Sequence, residues 1–419
     1  MLSRMLEEQL NNYPTLSGQW GEDIYPKLSW FKQTKVQEAH ILVVGCGALG
    51  NEVLKNLVLF GVEHIVVVDF DQVEVSNLSR SIFFTAADAQ QHRYKVDVVK
   101  ERLLAINPRL QIQTIKGDIA HEVGLGLIRQ MDLAISCVDN RYARYCLNRL
   151  CMRAGIPWVD GGIDALEGTV RVFAPGKNCY ACNLGPEGLK ELSRRMPCSS
   201  IIRKNEEAGR VPTTPVIASI IGAIEVQEAM KLIHKEEMEQ GELTSLCGKM
   251  LYYEGQHLTS RLVSFQAYDD DCPMHELWSP VRPSGIHTSM TVEEALMALQ
   301  PSERTEKADK KAEKGKTGKT REVNDIQLHL RDFSFVDYIT DRLTDERISI
   351  MQPSYRVASY MEQDEQLRQL STNRFYQHEI HHLDASFPYP QLTLKEIGIP
   401  EKDIIIARIN GYETYIELD

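Results

Sequence analysis

No stretch of the sequence reaches the roughly 18 consecutive apolar residues that a membrane-crossing helix needs, and the opening MLSRMLEEQLNNYP has no apolar signal-peptide core. The expectation is a cytoplasmic protein with no membrane partner, whose thiols stay reduced. A basic excess is missing too. Lys and Arg number 47 against 59 Asp and Glu, and the net charge of −12 speaks against a nucleic-acid partner. The apolar depletion that marks disorder is absent, since 43% of residues are apolar and 25% charged. There is no internal repeat, and no GxxxxGKS or GxxxxGKT, so a P-loop is excluded. What is present begins with length: 419 residues allow two to four domains of about 100 to 200 residues each. The nine cysteines are an odd count for a reducing compartment, and ask for metal binding or thiol chemistry in a subset and burial in the rest.

Residues 1–38 are polar and turn-rich and read as an N-terminal arm. From His40, HILVVGCGALGNEVLKNLVLFGVEHIVVVDFD reads as strand, glycine turn, helix, strand. VDVVKERLLAINP (helix), LQIQTI (strand), a helical stretch near Gly126, DLAISCVD (strand) and a helix after Arg141 continue the alternation. The pattern predicts an α/β fold with a doubly wound, Rossmann-like parallel sheet. After GIPWVDGG the chain turns irregular and cysteine-bearing up to about Pro212, where Thr214 and Pro215 open a helix as N-cap and first residue. Ala218, Gly222 and Ala223 in that helix predict close packing against another element. The run ERTEKADKKAEKGKTGKTRE, 303–322, reads as a solvated linker. Beyond it lie DIQLHL, an apolar helical stretch around 361–370 and IIIARINGYETYIEL, where Asn410-Gly411 signals a type I′ hairpin. The expected organisation is an arm (1–38), an α/β domain (39–280), a short helix and linker (281–322) and a smaller C-terminal α+β domain (323–419).

Gly45, Gly47 and Gly50 form GxGxxG after a predicted strand and at the start of a predicted helix, where backbone N–H groups and the helix dipole suit a phosphate. Asp69 ends the next strand, where an acid binds ribose hydroxyls. The glycines alone do not choose between a dinucleotide and ATP. Asp71, Asn77, Arg80 and Lys95 follow, and Asp139 stands at the end of another strand. Cations near phosphates and an acid placed to hold magnesium suit attack on an ATP phosphorus better than an NAD site, although singly each also fits a surface ion pair. Cys179 and Cys182 form CxxC, and Cys272 with His275 forms CxxH, together a closed tetrahedral set for structural zinc. HEIHH, 378–382, literally fits HExxH, but Pro388 and Pro390 end any helix soon after, and it reads as a polar turn. Cys198 lies among Arg194, Arg195, Arg203 and Lys204, cations that lower a thiol pKa and favour the nucleophilic thiolate. The other five cysteines read as core.

From about Asp23 to His275 the motifs GCGALG, DFDQVEVSNLSR, Lys95, INP, CVDNRYAR, GIPWVDGGIDALEGTVRVFAPG, CYAC and VPTTPVIASIIGAIEVQEAMKLI jointly resemble the superfamily of ubiquitin-activating enzymes and their bacterial ThiF-, MoeB- and HesA-like relatives. The resemblance implies a homodimeric enzyme that uses ATP and magnesium to adenylate the C-terminal glycine of a small ubiquitin-like protein. It puts Asp69 on the ribose, Asn77, Arg80 and Lys95 on the phosphates, and Asp139 on magnesium, and makes Cys198 the thioester-forming residue of the segment 183–212. It also implies a C-terminal domain of ubiquitin-like fold that recruits a conjugating enzyme. The alternative it leaves open is adenylation of a sulfur-carrier protein for thiamine or molybdopterin-type sulfur transfer. The sequence departs from the family pattern at Ser81 (commonly Gln), at His92 and Arg93 (usually Gly-Lys), and at Lys27, where an arginine of RYxR would reach the partner subunit's ATP. A lysine there lacks the bidentate fork of arginine.

Overall fold

Short parallel strands, apolar at the centre and with exposed Gln111 and Gln113 on the edge strand, build the middle of the first unit. They are β1 (His40–Val44), β2 (His64–Val68), β3 (Gln111–Ile115), β4 (Leu133–Ser136) and β5 (Trp158–Asp164), all parallel. Ile41, Leu42, Val43, Leu133, Ala134 and Ile135 are fully or almost fully buried, as expected of a parallel sheet covered on both faces. Three antiparallel strands, β6 (Glu167–Phe173), β7 (Lys249–Glu254) and β8 (Thr259–Ser264), extend it, giving the order β3-β2-β1-β4-β5-β6-β7-β8. This computed structural model describes residues 25–185, 187–188, 192, 213–300, 326–330, 332–364, 367–369 and 375–419. Among them no helix is long and apolar enough to cross a membrane.

Four helices position the site: α1 (Ala48–Phe60), α2 (Lys95–Ile106), α3 (Arg141–Ala154) and α4 (Pro215–Ile233). Thr214 caps α4 by accepting the Ile217 N–H at 3.2 Å, and Pro215 stands at its first position, as the sequence predicts. Two of the three small residues of α4 have their predicted use, Ala218 and Gly222, whereas Ala223 is exposed because it faces away from the packed side. A Cβ on Gly222 would lie 3.0 Å from the Glu52 Cβ of α1, so the two helices meet at a distance that only a residue of this size allows.

The second unit takes its strands from the end of the chain. Val281–Pro283 (β9), Ile326–His329 (β10), His382–Leu383 (β14), Ile404–Ile409 (β15) and Tyr412–Glu417 (β16) form one sheet, ordered β14-β10-β15-β16-β9. Phe335–Asp341 (β11), Arg347–Pro353 (β12) and Phe375–Ile380 (β13) form another, with β11 central. Ile286, Val292, Leu328, Phe335, Leu394, Ile405 and Ile416 share a core. Residues 281–300, which composition groups with the linker, therefore supply a strand and a helix (Val292–Ala298) to this unit. The linker 303–322 lies outside the described residues. Asn410 (φ +51°) and Gly411 (φ +83°) make the β15–β16 turn with the two left-handed residues that type I′ demands. Two features differ from the sequence reading. The stretch 378–382 is neither turn nor helix: it runs through β13 into β14, with His378 Nδ1 on Asp337 at 2.8 Å, because its residues complete the ladder on β11. And Ile119–Arg129, between β3 and β4, belongs to the second unit, where the Gly126 N–H donates to the Lys402 carbonyl (2.8 Å) and Arg356 pairs with Glu122 (2.7 Å).

Candidate functional site

The strand order fixes where a ligand can bind. The chain leaves β1 towards β2 and β3 on one side, then returns to lay β4 and β5 on the other, so the connections at the carboxyl ends of β1 and β4 diverge and open a crevice. Both segments picked out by sequence stand there: GxGxxG follows β1, and Asp139 follows β4.

The three glycines divide the work. Gly45 has φ +97°, and a Cβ on it would lie 2.6 Å from the Cys137 carbonyl oxygen; on Gly50 it would lie 2.0 Å from the Gly45 carbonyl. Gly47, the residue before α1, faces open space with nothing within 4 Å of its Cβ position. The outer two permit the tight turn, and the middle one leaves room for a phosphate at the helix N-terminus. Asn51, which the sequence reading missed, holds the turn together. Its buried amide donates to the carbonyls of Cys46 (2.7 Å) and Gly47 (3.0 Å), and its carbonyl accepts the Phe83 N–H (2.9 Å), joining the glycine turn to the segment that carries Arg80.

Asp69, at the end of β2, accepts the N–H of Cys46 (2.6 Å) and of Asp71 (2.8 Å). Asp71 in turn pairs with the buried Lys95 Nζ at 2.6 Å. Burial and the neighbouring Asp71 raise the Asp69 pKa against the pull of Lys95. For Lys95, burial works to lower the pKa, but the two carboxylates outweigh it and the ammonium is held charged. Asn77 is buried and caps its own turn by accepting the Glu74 N–H (3.0 Å), while Arg80 Nη1 donates to the Ser76 carbonyl (2.8 Å). The residues in which the sequence departs from its relatives are built in: Ser81 is buried, Arg93 pairs with Asp88 and Glu101, and His92 adopts φ +49°, the left-handed backbone that glycine takes without strain. Lys27 is exposed in a short 3-10 turn.

Asp139 is exposed, and the next residue, Asn140, caps α3 by accepting the Ala143 N–H at 2.7 Å. Behind it lies a buried polar cluster whose residues fall in CVDNRYAR, GIPWVDGGIDALEGTVRVFAPG and VPTTPVIASIIGAIEVQEAMKLI but have no role assigned from sequence. Arg144 Nε donates to Asp160 Oδ1 (2.7 Å), and its Nη2 to the carbonyls of Val138 (2.6 Å) and Gly161 (2.9 Å). Asp160 also meets Arg171 Nη2 at 2.5 Å. Glu225 of α4 is fully buried over Gly161, and burial beside Asp160 pushes its carboxyl well above the usual range. Only the three-dimensional fold brings these residues together, since 144, 160, 171 and 225 share no local pattern.

Cys179, Cys182, Cys272 and His275 converge, their ligand atoms all within 4.8 Å of one another. Cys179 Sγ lies 3.6 Å from Cys182 Sγ and 3.8 Å from Cys272 Sγ, and His275 Nε2 lies 3.3 Å from Cys182 Sγ. Metal–sulfur bonds of about 2.3 Å at tetrahedral angles give S···S edges of about 3.8 Å, so the set fits one four-coordinate ion. Burial raises the thiol pKa of Cys179 and Cys272, so the thiolate pair needs a cation to be stable. Of the cysteines read as core, Cys46, Cys137, Cys146 and Cys151 are buried and Cys247 partly so. Cys198 and its flanking arginines lie outside the described residues.

A glycine turn, an acid at the end of β2 and a buried lysine at the switch point, with a Cys/His set beyond them that could hold a metal, fit the class of E1-like adenylyltransferases. The chain belongs to the ThiF family, whose model matches residues 19–274. It is 28% identical over 277 residues to a sulfur carrier protein adenylyltransferase of Thermus thermophilus, covering 65% of this chain and 92% of that one. It is 31% identical over 252 residues to the SAMP-activating enzyme E1 of Haloferax volcanii, covering 58% and 82%. To the SUMO-activating enzyme subunit 2 of Dictyostelium discoideum it is 37% identical over 152 residues, 35% of this chain and only 22% of that relative.

Proposed function

We propose that the chain activates the C-terminal glycine carboxylate of a small ubiquitin-like protein with ATP, takes it as a thioester on Cys198 and passes it to a conjugating-type enzyme. The observation that carries the reading is the Asp69–Asp71–Lys95 chain at the crevice, joined to the open N-terminus of α1. Asp69 would hold the ribose; Asn77, Arg80 and Lys95 would face the phosphates. A magnesium ion, which the family implies, would neutralise phosphate charge, and Asp139 would hold it. The glycine carboxylate oxygen bonds to the α-phosphorus as the bond to pyrophosphate breaks; lysine and arginine stabilise charge at that stage. A Cys198 thiolate then attacks the acyl carbon and AMP leaves with the electron pair of the broken acyl–oxygen bond. Zinc is the ion proposed for the Cys179, Cys182, Cys272 and His275 set, three thiolates and an imidazole that leave no open position for catalysis. The protein would act as a homodimer in the cytoplasm, with its C-terminal unit, including 323–419, recruiting the conjugating enzyme.

ATP–pyrophosphate exchange that depends on an added ubiquitin-like protein is the direct test; its absence with every such protein tried would end the proposal. A conjugate that resists SDS but not thiol reductant should form in the wild type and disappear in Cys198→Ala. A conjugate that survives Cys198→Ala would remove Cys198 from the role; if exchange persists and no thiol-sensitive conjugate forms even in the wild type, the second reading takes over: activation of a sulfur-carrier protein without thioester transfer, which the extent of the match to the Thermus thermophilus relative favours.

A further inference from the structure

Asp139 stands on a corner held from both sides. Asn140 is tied down by its cap on α3, and the carbonyl of Val138, the residue before Asp139, accepts Arg144 Nη2 at 2.6 Å. The same guanidinium reaches β5 through Asp160 and the Gly161 carbonyl. We infer that Arg144 is a positioning residue: it clamps the β4–α3 corner to β5 so that the exposed Asp139 carboxylate meets the metal ion with its direction already set. This rests on the proposed metal role of Asp139.

The donors make the case. Three separate N–H bonds leave a buried guanidinium to acceptors on the β4–α3 corner and on β5, a fork that a lysine ammonium cannot reproduce in the same plane. Asp160 keeps the charge balanced and has no exposed surface, so Arg144 is not held there by solvent. Arg171 supplies the control. It meets the same Asp160 from β6, on the other carboxylate oxygen, and so shares the buried charge without holding the corner. Partners that orient a metal-binding carboxylate are typically worth about 10- to 100-fold in metal affinity.

The test reads metal binding rather than turnover. Binding of Mn2+ to the full chain with a non-hydrolysable ATP analogue is followed by water proton relaxation in wild type, Arg144→Lys, Arg171→Gln and Asp139→Asn. Arg144→Lys should weaken Mn2+ binding by about tenfold or more while the metal-free affinity for the analogue changes little; Arg171→Gln should change Mn2+ binding by less than about twofold. Wild-type Mn2+ affinity in a folded Arg144→Lys, or an equal loss in Arg171→Gln, would overturn the clamp. If Arg144→Lys does not fold, Asp160→Asn carries the comparison with Arg171→Gln under the same criteria, because it removes the charged one of the guanidinium's two holds on β5. Undiminished Mn2+ binding in Asp139→Asn would instead remove the metal role of Asp139, and the clamp would fall with it.

Discussion

The two units place their charges differently. In the first, Lys95, Asp160, Arg144 and Glu225 are buried close to a parallel sheet whose central strands are mainly apolar. In the second, Asp337 and Asp341 of β11 are buried, but the Lys and Arg ion pairs Lys395–Glu401 and Arg408–Glu413 are exposed, and strands such as β10 alternate buried with half-buried residues. Buried charge is costly and is retained where something else depends on it, whereas surface pairs contribute little. The difference is consistent with the adenylation step proposed for the first unit, whose buried cations lie beside the crevice. The largest effect should come from breaking that contrast at its centre. Lys95→Ala leaves Asp69 and Asp71 without their cation and is expected to lower ATP–pyrophosphate exchange by about 100-fold or more. Lys395→Ala in the second unit should leave exchange unchanged; an equal loss in both variants would undo the contrast.

The metal cluster sharpens the same point within the first unit. Cys182→Ser removes one of four converging ligands. One bound metal ion per chain, measured by atomic emission, should fall to a small fraction, and the first unit's thermal midpoint should drop by on the order of 10 °C, since metal binding there is folding free energy. Full metal occupancy in this variant would mean that the four ligands do not act as one site.

Much of the first unit could be read in advance because its signals are local. GxGxxG needs only a strand before it and a helix after, and CxxC with CxxH needs only two pairs of residues, so spacing alone carried both. What could not be read was long-range. Arg144, Asp160 and Glu225 are ordinary residues within a helix, a strand and another helix until β5 brings them into one cluster. One piece of the second unit hid for the same reason: Ile119–Arg129 resembles any crossover, and only its hydrogen bonds to Lys402 and Asp403 show where it packs. HEIHH is rightly not read as a metal helix, but the polar turn read in its place is a strand, because residue types do not show the ladder that claims them.

Gly126 tests where the Ile119–Arg129 crossover packs. In an ordinary helix a Gly→Ala change is stabilising by about 1 kcal/mol. Here the Cβ would meet the Lys402 carbonyl oxygen at 2.4 Å, and backbone on both sides cannot move away cheaply. Gly126→Ala is therefore expected to destabilise the second unit by about 1–3 kcal/mol in urea unfolding, with exchange in the folded chain unaltered. A neutral or stabilising result would show that the crossover does not pack there.

The effect that depends most on conditions is also the one that best separates a retained charge from a tolerated one. Glu225 has its carboxyl against Gly161, with Asp160 and Arg144 as the charged groups facing it, and burial first, then Asp160, raise its pKa far above that of an exposed glutamate. A carboxyl whose pKa is raised by folding stabilises the fold fully only below the unfolded value, about 4.3, and loses that contribution as pH rises towards the folded pKa. A glutamine side chain at this position cannot ionise. Glu225→Gln should accordingly gain on the wild type as pH increases from 5 to 8, by up to about 1.4 kcal/mol for each unit, read from the urea midpoint of the first unit at each pH. If the two proteins keep the same difference at every pH, Glu225 carries its charge in the folded chain, and Arg144 must then be shared between two carboxylates rather than reserved for Asp160.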